Sequence, residues 1–275
     1  MAETSVPQAI RSALRRRGIL LRQADGGSDG LVVGLWPAER HEGFYLEMQR
    51  YSFRLVLRDV IRLGNQEATF TAEDLAHHAS VEAVTEHLQA LARIGLVEPQ
   101  GGGRDYSLRV QARSLGPTLD WFVAEVLRRE LGFCVACSVP MRGGTTGGDL
   151  DVVAMAEGRL LLVEVKSGPP KHLDRSHVEA FLDRVQAIAP DGAIFFEDTE
   201  LRMADKIVVL FEEVLRERGL PLRPERLHRE LFVVGPGIFI ANAYPDAAGN
   251  LARCVSELYR SRGIQLAVDL AAGAE

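Results

Sequence analysis

Four charged residues, Asp149, Asp151, Glu164 and Lys166, interrupt two otherwise apolar runs, Leu150–Ala156 and Leu160–Val165, that meet at Glu157-Gly158. If Glu157-Gly158 is a tight turn, Ala156 faces Arg159, and counting outward sets Asp151 opposite Glu164 and Asp149 opposite Lys166. A symmetric four-residue loop gives the same register, whereas an odd-length loop slips it by one and separates the two acids. Directly opposed residues share a face with their Cβ atoms about 4.5–5.5 Å apart, which forces two carboxylates together beside an ammonium. Bare like charges that close repel, and a divalent cation held by carboxylate oxygens relieves them. Leu150, Val152 and Ala154 with Leu161, Val163 and Val165 then line the opposite, buried face. Gly158 suits a turn position with positive φ.

An acid on one strand and Glu-x-Lys on the next, as in Val163-Glu164-Val165-Lys166, resembles the PD-(D/E)XK nuclease superfamily with its restriction-endonuclease-like fold. The resemblance implies that Asp151, Glu164 and Lys166 are catalytic and that Asp151 and Glu164 bind Mg²⁺ or Mn²⁺. It implies a helix before the hairpin, often carrying a Glu, for which Glu125 is the candidate, and a helix after it, often carrying a Gln, for which Gln186 is the candidate accessory residue. Asp149, two residues before the strand acid, is a further candidate ligand. The Pro-Asp pair of the family's name is missing here.

The elements that must position these residues follow from periodicity and punctuation. Residues 5 to 17 show apolar positions at helical spacing closed by Arg15-Arg16-Arg17, and short strands are expected near 18 to 23 and 31 to 35. This makes residues 1–43 an N-terminal adjunct. Residues 44–112 have the rhythm of a winged helix-turn-helix: helices over 44 to 63, 71 to 78 and 80 to 94, then two strands around the tip Gly101-Gly102-Gly103-Arg104. Such a domain could set its third helix in a major groove, yet Glu82, Glu86, His87 and Gln89 on the expected exposed face disfavour phosphate, so a partner protein is the alternative ligand. Residues 113–275 read as an alternating α/β unit: a helix from Pro117 to 131, a strand over 133 to 139, the charged hairpin, and a helix from 174 to 189. A strand over 192 to 197, a helix over 199 to 218, strands over 229 to 235 and 238 to 241, and a helix over 246 to 262 follow. The fold class expected is thus α/β, a restriction-endonuclease-like mixed sheet flanked by helices and preceded by a winged helix-turn-helix domain.

The formal charge is −6 with 47% hydrophobic residues, which excludes a strongly basic nucleic-acid coat. Phosphate contacts must come from local groups: Arg104 at the wing tip, Arg142 before the glycine-rich 143–148 loop, and Lys171, His172 and Arg175 after the Lys166 strand. Three cysteines, Cys134, Cys137 and Cys254, suggest neither a disulfide framework nor a zinc site, and buried strand cysteines are expected at 134 and 137. No apolar run of about 18 residues and no signal-peptide core is present, so no membrane association and a cytoplasmic location are expected.

Hydrolysis of a phosphodiester needs a positioned water, charge neutralisation at phosphorus and a stabilised leaving alkoxide, and a hard divalent ion on carboxylates supplies the last two. The expectation is a Mg²⁺-dependent phosphodiesterase or endonuclease acting on DNA, targeted by the winged-helix domain. The alternative is a DNA-binding regulator or adaptor that uses the nuclease-like fold as a scaffold. Fold-level analogy adds a possible homodimer.

Overall fold

The computed structural model describes residues 6–22, 40–110, 112–142 and 149–260; the strand expected at 31 to 35 and the glycine-rich 143–148 loop lie outside the described residues. The chain opens with α1 (Gln8–Arg16), whose Ile10, Ala13 and Leu14 are buried and whose last turn carries Arg15 and Arg16. Next come α2 (His41–Met48) and α3 (Tyr51–Gly64) in place of the single helix expected over 44 to 63. The break is at Arg50, which is extended. Buried Arg54 explains it, because its Nη1 donates to the Met48 and Gln49 carbonyls that the ended helix leaves open.

The succession β1 (Phe70–Thr71), α4 (Ala72–Leu75), α5 (Val81–Ile94), β2 (Val97–Gln100) and β3 (Asp105–Leu108) closes into an antiparallel sheet of order β1-β3-β2. Thr71 and Asp74 form a reciprocal capping box on α4, Ser80 caps α5, and Gly95 ends α5 at φ 90°. Glu82, Glu86 and Gln89 of α5 are exposed as expected, but His87 is buried. Its ring lies edge-on to Phe53 and is bracketed by Ser52 Oγ at 3.0 Å and Arg50 Nη2 at 3.3 Å, so it belongs to the α3–α5 contact.

The second half contributes α6 (Gly116–Arg129), β4 (Cys134–Pro140), β5 (Asp149–Ala156), β6 (Arg159–Lys166), α7 (Arg175–Ile188), β7 (Gly192–Glu197), α8 (Ile207–Glu217), β8 (Glu225–His228), β9 (Leu231–Val233), β10 (Ile238–Asn242) and α9 (Ala247–Arg260). Its seven strands form one mixed sheet, β4-β5-β6-β7-β10-β9-β8, in which β6, β7 and β10 run parallel and the other neighbours antiparallel. The helix expected to start at 199 starts at Ile207, because residues 199 to 203 close strand ends instead. Thr199 O accepts the Ala243 N–H, Leu201 O accepts Asn242 Nδ2, and Met203 N–H donates to Glu230. The strand expected over 229 to 235 is shortened to β9, and a turn at Arg229, φ 49°, joins it to β8, a strand that was not expected. Cys134 is exposed on edge strand β4, contrary to the buried position expected, while Cys137 is half-buried.

Helices cover both faces of the sheet. On one face a continuous apolar cluster runs from Phe44, Phe53 and Leu88 through Leu119 and Phe122 of α6 to Val152, Leu161, Ile194 and Phe239. On the other, α1, α7 and α8 pack on Val153, Leu160, Leu162, Phe195 and Ile240. The N-terminal helices and their small sheet therefore share a core with the large sheet.

Candidate active site

The hairpin that carries the charged residues turns at Glu157 (φ 50°) and Gly158 (φ 75°), both in the left-handed region that a two-residue hairpin turn of the favoured hand requires. Ala156 faces Arg159, and the paired register runs on to Val152 opposite Val163. The same count brings Asp151 level with Glu164, but there the backbone ladder is replaced by a side chain: Asp151 Oδ2 accepts the Val165 N–H at 2.8 Å. The other neighbour of Asp151 is irregular too, since Ser138 of β4 has φ 49° and falls between the pairs Cys137–Val152 and Val139–Leu150. Leu150 accordingly joins the cluster under α7, not the Val152–Val163 face expected of it. Asp151 thus occupies a point where the pairing with β6 ends and the pairing with β4 is interrupted at Ser138 before resuming at Val139–Leu150.

Glu164 is buried, and both its oxygens are held by cations. Lys166 Nζ donates to Oε1 at 2.6 Å, and Arg184 Nη1 of α7 donates to Oε2. A narrow cleft lies between the hairpin and α7, walled by Asp151, Glu164 and Arg184 over Leu162 and Phe181. From the far side of the sheet, buried Asp120 of α6 acts on the same group. Burial first, then the charges of Asp151 and Glu164, push its carboxyl up to about 8, with Lys166 opposing. Burial and Glu164 push Asp151 up to about 6 against the Val165 N–H, Lys166 and Arg184. On β7, in register with Lys166, Glu197 is fully buried with no hydrogen-bond partner for either oxygen. Burial pushes it up to about 8, opposed by Lys206 and aided by Asp198.

The structure therefore brings Asp151, Glu164 and Lys166 together and leaves several other expected residues apart. Asp149 is not paired with Lys166, because the ladder stops at Val152 and its Oδ1 accepts Arg22 Nη2 at 3.1 Å. Glu125 binds Arg128 and Arg129 along its own helix in an i,i+3 and i,i+4 arrangement. Gln186 is exposed, two residues beyond the Arg184 that faces the sheet. Arg175 is engaged by Glu179 and Glu217, whereas Arg104, Arg142, Lys171 and His172 are exposed. Asp120 and Arg184 went unnoticed in the sequence, although each had a signal. Asp120 sits among Leu119, Trp121, Phe122 and Val123, and Arg184 falls at i+3 from Phe181, so both place a charge on a stripe otherwise facing the core.

As donors for Mg²⁺ or Mn²⁺ the residues fit in kind, because Asp151 and Glu164 both offer hard carboxylate oxygens. Glu164 has to release Arg184 or Lys166 to offer an oxygen, and among the described residues no three His, Cys, Asp or Glu side chains are already grouped to hold an ion.

The sequence matches no family description, and no curated protein resembles it significantly. A solved structure does share its fold. Protein VC1899 from Vibrio cholerae superposes with a TM-score of 0.52 at 13% identity, over 92% of this chain and 60% of that one. Can2 from Sulfobacillus thermosulfidooxidans, in complex with cyclic tetra-adenylate, superposes at 0.49 and 12% identity over 90% of this chain and 60% of its own. The chain thus spans about 60% of the length of the structures it matches, and the likeness to VC1899 is one of fold: a seven-stranded mixed sheet flanked by helices.

Proposed function

We propose that this chain is a metal-dependent nuclease of the PD-(D/E)XK type that hydrolyses phosphodiester bonds of DNA. The observation that carries the reading is the placement of Asp151, Glu164 and Lys166 where β5 parts from β6 beside a cleft, on a sheet whose next strand, β7, runs parallel to β6. Asp151 and Glu164 would hold Mg²⁺ or Mn²⁺, which when bound neutralises phosphoryl oxygens and acidifies a water. The Val165 N–H fixes the Asp151 carboxylate, and Arg184 fixes Glu164 until the site is loaded. Lys166, partly exposed at the mouth of the site, donates to a phosphoryl oxygen or orients the attacking water.

The N-terminal unit reads as a winged helix-turn-helix, the proposed targeting domain of residues 44–112. Its element order and its β1-β3-β2 sheet support this, with Gly101–Gly103 as the wing tip and Arg104 beside it as the candidate phosphate contact. Acidic exposed positions on α5 leave DNA or a partner protein as its ligand. The second reading, an adaptor that uses this fold as a scaffold, is favoured by one observation: both oxygens of Glu164 already have cationic partners.

Plasmid and oligonucleotide cleavage with Mg²⁺ or Mn²⁺, with and without EDTA, decides between them. The nuclease cleaves only with metal, and Asp151→Ala or Lys166→Ala abolishes cleavage while far-ultraviolet circular dichroism is unchanged. Absence of cleavage on every nucleic acid, together with no calorimetric metal binding, establishes the adaptor.

A further inference from the structure

Glu197 is a buried acid that the reaction outlined above does not use. It is the last residue of β7, wholly enclosed, and neither carboxyl oxygen has a hydrogen-bond partner. An enclosed polar group without a partner is a standing cost to the fold, which an apolar residue at the same place would remove. Its position is also specific. Parallel pairing sets Glu197 beside Lys166, and Glu164 beside Phe195, so Glu164, Lys166 and Glu197 project from one face. Neighbouring strands lie about 4.7–4.9 Å apart, well within the span of a lysine stem.

We propose that Glu197 is a positioning residue for Lys166, a second carboxylate berth that receives the ammonium when Glu164 is drawn to metal or substrate. Lys166 now donates to Glu164. Once Glu164 turns away, an ammonium with no second partner would leave for solvent; Glu197 keeps it on the sheet face at the edge where the phosphate is to lie. The other charged neighbours do not fill this role. Lys206, the cation whose charge acts on Glu197, commits its ammonium to the Lys171 carbonyl at 2.9 Å, and the adjacent Asp198 is bound by Arg54.

The proposal deepens the nuclease reading and rests on it for its kinetic arm only. A double-mutant cycle of Glu164→Gln and Glu197→Gln, followed by urea unfolding of the full chain in EDTA, tests it without activity. Glu197→Gln alone should leave the unfolding midpoint unchanged or raise it, yet lower it in the Glu164→Gln background, where Lys166 has only Glu197. A crystal structure of the Glu164→Gln variant should show Lys166 Nζ within hydrogen-bond distance of Glu197. Additive midpoints with Lys166 directed into solvent overturn the berth whatever the cleavage result. In the cleavage assay Glu197→Gln should lower kcat about 10- to 100-fold at unchanged KM, with partial recovery in Glu197→Asp. An unchanged kcat overturns the positioning role, whereas a wild-type chain that cleaves nothing sinks the nuclease reading and leaves the berth to the cycle and the crystal.

Discussion

Asp120 and Asp151 show what burial, reinforced by neighbouring carboxylates, does to individual groups at the hairpin. Both are pushed up, Asp120 to about 8 and Asp151 to about 6, from an ordinary value of 3.8. A carboxyl raised on folding makes the folded state bind more protons than the unfolded one, so its contribution is fully present below the unfolded value and is lost as pH rises through the folded value. For Asp120 that window runs from about pH 4 to about pH 8. Asp120→Asn should therefore flatten the fall of the urea midpoint between pH 5 and pH 8 relative to the unaltered chain. Equal slopes in the two proteins would show that Asp120 is not raised. Glu125, bound along its own helix, gives the contrasting case: Glu125→Gln should leave metal-dependent cleavage within about twofold while costing at most about 1 kcal/mol of stability, as partly exposed ion pairs do. The choice between these two acids of α6 was not legible from residue type, because the resemblance implies a Glu on this helix, whereas the acid on which the hairpin charges act is Asp120 on the core stripe.

At the scale of elements, α3 bears most on the site. Arg54 pairs with Asp198 immediately after β7, both nearly inaccessible, and its guanidinium lies over the Tyr51 and Phe122 rings. One turn on, Arg58 Nη1 donates to the carbonyl of Ser167, next to Lys166. Helix α3 is thereby bonded to the ends of β6 and β7, the strands that carry Glu164, Lys166 and Glu197. Removing one member of a buried pair leaves the other charged and unpaired, so Arg54→Ala should cost about 3–5 kcal/mol in urea unfolding. A loss below about 1 kcal/mol, the range of exposed pairs, would mean that the pair is not enclosed as described. The split of the expected 44–63 helix has the same origin. Periodicity continues across Gln49 and Arg50, and only the tertiary placement of Arg54 favours ending α2 there.

For the whole molecule, the shared core decides how the parts behave. The apolar cluster runs unbroken from Phe44 and Leu88 through α6 to Val163 and Phe239, and buried Trp121 of α6 stacks on Phe44 at 5.5 Å. With no core of its own to keep, the N-terminal unit should unfold with the sheet in one cooperative transition. In a Trp36→Phe background, fluorescence of Trp121 and far-ultraviolet circular dichroism should give coincident urea curves; an earlier fluorescence transition would show that the units are independent. Among the described residues no helix is long and apolar enough to cross a membrane.

Local chemistry determined much of this protein before any coordinates. Alternation and the Glu157-Gly158 turn set the hairpin register from Ala156–Arg159 outward; Ser80, Gly95, the Thr71–Asp74 box and Pro117 marked helix ends, because each acts within one turn of itself. What happens beyond Val152 and Val163 is a tertiary matter. There the ladder yields to the Asp151 carboxylate, Asp149 turns to Arg22, Glu164 takes Arg184 from α7, and Asp120 presses from the opposite side of the sheet. Those partners lie between 14 and 127 residues away along the chain for the bonded pairs. Nothing in local propensity chooses among charges so far apart, since their pairing depends on which helix face each sheet face buries.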